Sequence, residues 1–67
     1  LLYQLKLAHV FMFSNKVGQA KDIHKLYKDN NVSSSKSWVA QTKFDFEDFE
    51  KRGFPKDNFK KILRILE

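Results

Sequence analysis

A chain of 67 residues without one cysteine must be held together by its apolar side chains. Disulfides and thiolate metal sites are excluded. Two histidines, His9 and His24, are too few for a structural zinc site, so no metal or cofactor is expected. A chain this short forms one domain at most. It buries only about 60% of the surface that its unfolded form exposes, and so needs an unusually apolar core. Seven Phe, two Tyr and Trp38 are available to build it. Each buried aromatic contributes about 1.5–3 kcal/mol relative to exposure.

The apolar spacing predicts an all-α fold, a small orthogonal bundle of three to five short helices over residues 1–67. The first helix covers roughly 1–13 within an apolar N-terminal segment, 1–16. It is apolar around most of its circumference, so it should sit centrally or be covered by a partner. The run is too short to span a bilayer, which takes about 20 residues. Ser14-Asn15-Lys16 is no signal-cleavage site. A buried core helix is therefore expected, with His9 packed and hydrogen-bonded and no membrane partner. Leu1 rather than Met opens the sequence, which reads as an excised domain, either a monomer or part of a larger chain.

Ser14-Asn15-Lys16 and Gly18 should close that helix. A second follows from about 19 to 30, with Ala20, Ile23, Leu26 and Tyr27 facing inward and Asn30-Asn31 as its left-handed stop. A third begins near Ser35, whose hydroxyl suits a helix start, and turns Trp38 and Val39 inward. A fourth is expected from Asp45, as cap, to Gly53. Its acidic set Asp45, Glu47, Asp48 and Glu50 reads as a solvated helix N-terminus. Phe54-Pro55 opens the last helix, where Phe59, Ile62, Leu63 and Leu66 follow the i, i+3, i+4, i+7 pattern.

No catalytic motif stands out. A nucleophile needs a base within hydrogen-bond reach, and the serines at 33–35 and 37 sit where caps are wanted. His24 reads as a half-exposed boundary residue. The acidic cluster lacks a calcium-loop pattern. No catalytic, cofactor-binding or metal residue is assigned.

The basic residues carry more information, because the net charge of +5 favours acidic partners. Lys56, Lys60 and Arg64 recur every four residues along the last helix, with Lys61 beside them, and Lys21, Lys25 and Lys28 mark the second. These seven are the candidate partner-binding residues. Such stripes suit phosphate or carboxylate contacts.

Residues 19–66 also carry a family-like spacing. Ile23, Leu26 and Val32 lead to the pair Ser37-Trp38, and Phe59, Ile62, Leu63 and Leu66 close the chain. This spacing resembles the FF domain. The resemblance implies a three-helix fold with a 3₁₀ turn before the last helix. It also implies an intracellular, nuclear scaffold of transcription or pre-mRNA splicing that binds short acidic, often phosphorylated, peptides.

Two functions are in play. One is a non-catalytic protein-interaction module for an acidic or phosphorylated segment. The other is a small helical DNA-binding or replication-associated domain. In that second reading, the helix after the Asn30–Ser34 turn would offer Lys36, Ser37, Gln41 and Lys43 to the major groove. A subdomain docked through its first helix is a third possibility.

Overall fold

A computed structural model describes residues 1–67 and forms them into four helices with no strand. These are α1 (Leu2–Phe13), α2 (Val17–Tyr27), α3 (Trp38–Lys51) and α4 (Phe59–Leu66). No helix is long and apolar enough to cross a membrane. The expected all-α bundle is what forms, with α1 packed mainly on α2, and α4 resting on both α2 and α3.

The helix ends explain the layout. Asn15 sits in the left-handed region at φ 64°. Lys16 N–H then reaches the Phe11 carbonyl at 2.8 Å and Asn15 N–H the Met12 carbonyl at 3.4 Å. This pair of bonds closes α1 and reverses the chain. Gly53 does the same for α3 at φ 81°, with Phe54 N–H bonded to the Phe49 carbonyl at 3.0 Å. The ring of Phe54 lies edge-on to that of Phe49, 5.5 Å between centroids, supplying the apolar contact such an ending favours.

Several sequence expectations need correcting. Gly18 is not a stop but lies in the first turn of α2, which begins at Val17. Asn30 and Asn31 are not in the left-handed region; α2 ends at Tyr27 through an ordinary turn, Asn30 N–H to the Tyr27 carbonyl. Leu26 is 69% exposed, because Ala20, His24 and the half-buried Ile23 and Tyr27 form the inward face. The third and fourth expected helices are one continuous helix, α3, so Asp45 is no cap and the acidic set lies in its body. Pro55 stands outside α4, which starts only at Phe59.

Ser37, not Ser35, caps α3: its hydroxyl accepts from Ala40 N–H at 3.1 Å. Ser37→Ala is expected to cost about 1 kcal/mol, read as a lower urea midpoint. An unchanged midpoint would remove Ser37 from this role.

The core joins Leu5 and Met12 of α1, Ala20 of α2, Trp38 and Phe46 of α3, and Phe59, Ile62 and Leu66 of α4. The Phe46 and Phe59 rings stack at 4.5 Å, which ties α3 to α4. Trp38 is wholly buried, as a lone tryptophan in so small a domain should be. Its ring stacks on Tyr27 at 5.3 Å. Its backbone N–H is held by the Asn30 carbonyl at 2.8 Å, where a β-bridge between Asn31 and Ser37 closes the serine loop. The first helix is not central: Leu5, Ala8, His9 and Met12 face in, while Leu2, Tyr3, Val10 and Phe13 face solvent.

Candidate interaction surfaces and the buried polar core

The seven basic candidates are not all gathered in one groove. A groove of about 750 Å³ runs between α3, the segment before α4, and α4. Phe46, Phe59 and Leu63 line its apolar part, and Lys43, Lys56 and Lys60 stand around it with Glu47, Glu50 and Asp57. Of the basic candidates, this groove gathers Lys56 and Lys60. Lys56 is not on the last helix, and it bonds Glu50 at 3.0 Å. Lys61 and Arg64 are exposed on α4 outside the groove. Lys21, Lys25 and Lys28 of α2 take no part in it. Only Arg52 and Lys56, among all lysines and arginines, have a carboxylate within 4 Å. Lys43, which the duplex reading had assigned to a recognition helix, is therefore an unpaired cation lining the same groove as Lys60.

The other residues of that duplex reading are engaged within the chain. Gln41 donates to Asp45 Oδ1 at 2.8 Å. The Lys36 ammonium lies 4.0 Å from the centre of the Phe44 ring, a cation–π contact.

A second groove, about 540 Å³, lies between α1 and α3. Val10, Phe13, Phe49 and Phe54 line it with Lys6, Ser14, His9 and Asp45. The expected partner of His9 is thus Asp45, whose Oδ2 accepts from His9 Nε2 at 2.9 Å. The other nitrogen of His9, Nδ1, is buried without a protein partner.

His24 is not the boundary residue its neighbours suggested. It is wholly buried, and its Nδ1 accepts from the Trp38 indole N–H at 2.9 Å. Burial lowers its pKa to about 4, with the nearby His9 acting in the same direction. Burial also lowers the pKa of His9, outweighing the opposing hydrogen bond and charge of Asp45. Both rings are therefore neutral at pH 7. Sequence reading missed the Trp38–His24 pair. The one available signal was that a buried indole seeks an acceptor.

Comparison with family models, curated proteins and solved structures finds no match for this chain.

Proposed function

We propose that this chain is a non-catalytic protein-interaction module that takes an acidic or phosphorylated segment in the groove between α3 and α4. The observation that carries the reading is the unpaired state of Lys43 and Lys60 beside an open apolar floor. A partner would seat an apolar side chain on Phe46, Phe59 and Leu63 and meet the two ammonium groups with carboxylate or phosphate. The net charge of +5 supports the same sign of partner. The groove's own carboxylates, Glu47 and Asp57, repel a uniformly acidic ligand, so a segment with its negative charge at one end fits best. The FF-like spacing of residues 19–66 points to the same ligand class and to a role in transcription or pre-mRNA splicing. The duplex reading gains less, because Gln41 and Lys36 are already engaged within the chain.

Amide NMR shifts under titration with a phosphopeptide carrying one aromatic residue test this. Shifts at Lys43, Phe59, Lys60 and Leu63 are expected, and Lys60→Glu should weaken binding about tenfold. No shifts at those positions would end the proposal, and shifts confined to Lys21, Lys25 and Lys28 would overturn the groove as the site.

A further inference from the structure

The bundle holds two short hydrogen-bonded sets, one buried and one part-buried, whose imidazole rings are neighbours. In one, Trp38 Nε1 meets His24 Nδ1 at 2.9 Å. In the other, His9 Nε2 meets Asp45 Oδ2 at 2.9 Å, and Gln41 Nε2 meets Asp45 Oδ1 at 2.8 Å. The chemistry of the outer members fixes the protons on both imidazoles. An indole N–H only donates, so His24 Nδ1 carries a lone pair and its single N–H sits on Nε2. An ionised carboxylate only accepts, so His9 donates from Nε2 and keeps its lone pair on Nδ1.

The two nitrogens left over are therefore one donor, His24 Nε2, and one acceptor, His9 Nδ1. Both are buried and without a protein partner. The rings are neighbours, 6.3 Å between centroids and inclined at 43°. A ring nitrogen lies roughly 1 Å from its own centroid, so the two stand about 4 Å apart at the closest, too far for a direct bond of about 3 Å. One water molecule with two hydrogen bonds spans that gap. A metal ion does not suit the pair, because the lone pair of His24 is already spent on Trp38.

We infer that a single water molecule is bound between His24 Nε2 and His9 Nδ1, accepting from the first and donating to the second. It joins the two sets into one chain of uniform direction: Trp38, His24, water, His9, Asp45. Buried waters characteristically satisfy such otherwise unpaired polar groups. Here the water ties together α1 through His9, α2 through His24, and α3 through Trp38 and Asp45.

The test needs only the wild-type chain, labelled with ¹⁵N, at pH 7.5. Long-range ¹H–¹⁵N correlation is expected to show both histidines as the Nε2–H tautomer. The His24 Hε2 proton should exchange slowly and show cross-relaxation to a water molecule. An Nδ1–H tautomer at either ring would overturn the chain. A scalar coupling between His24 Nε2 and His9 Nδ1 would reveal a direct bond and remove the water. So would a His24 Hε2 signal with no cross-relaxation to water.

Discussion

Trp38→Ala is expected to leave this chain unfolded at 25 °C. The indole is wholly buried and meets α2 twice, Tyr27 by stacking and His24 by its N–H. Truncating a buried Trp to Ala costs about 3–5 kcal/mol. His24 Nδ1 would also lose its donor, for a further penalty on the order of 1 kcal/mol or more. A domain of this length holds only about 3–10 kcal/mol in all. Far-UV circular dichroism and proton NMR would check it. Helical ellipticity with native dispersion would show that the rest of the core suffices. Trp38→Phe keeps most of the apolar volume and loses the hydrogen bond, so it should remain folded but less stable by about 1–3 kcal/mol.

Acid should weaken the fold well before the carboxylates titrate. The folded pKa of His24 is about 4, below the 6.5 of an unperturbed histidine, and that of His9 is lowered too. Between these limits the unfolded chain binds more protons than the folded one. The stability is thus complete above about pH 6.5 and is lost as the pH falls toward 4. Each neutral histidine contributes a slope of at most about 1.4 kcal/mol per pH unit. For His24, which is wholly buried, the loss across the window is on the order of 3 kcal/mol. His9 adds less, because the hydrogen bond to Asp45 on α3 and that carboxylate's charge partly offset the burial that lowers its pKa. Urea unfolding at pH 7 and pH 5 is the measurement. Equal midpoints would contradict it, and His24→Gln should flatten the difference.

The last helix was the most legible part of the sequence. Phe59, Ile62 and Leu66 are buried as their spacing requires, because α4 has one apolar flank and nothing competing for it. The fourth helix that the sequence sets apart, with Asp45 as its cap, is the second half of α3. The Asp45 carboxylate is turned instead to Gln41 one turn earlier and to His9, 36 positions away, which no local pattern reveals. His24 was misplaced similarly: beside Ile23 and Lys25 it resembles a surface residue until Trp38 folds over it. The basic residues of α2 and of α4 are legible in the sequence, but Lys56 falls before α4. That Lys60 shares a groove with Lys43 is not legible, because it depends on how α4 packs on α3, a tertiary fact that no single helix encodes.

The serine loop is fastened at its base. Val32 and Ser33 both donate to the Lys36 carbonyl, at 3.0 and 3.3 Å, below the bridge of Asn31 with Ser37. Ser34 and Ser35 beyond that clasp are exposed and touch none of the core. Extra length at the tip would add only a slowly growing closure entropy while the indole stays seated. The tip is therefore where this bundle can accept a grafted segment, and where its sequence is most free to vary without consequence for the fold.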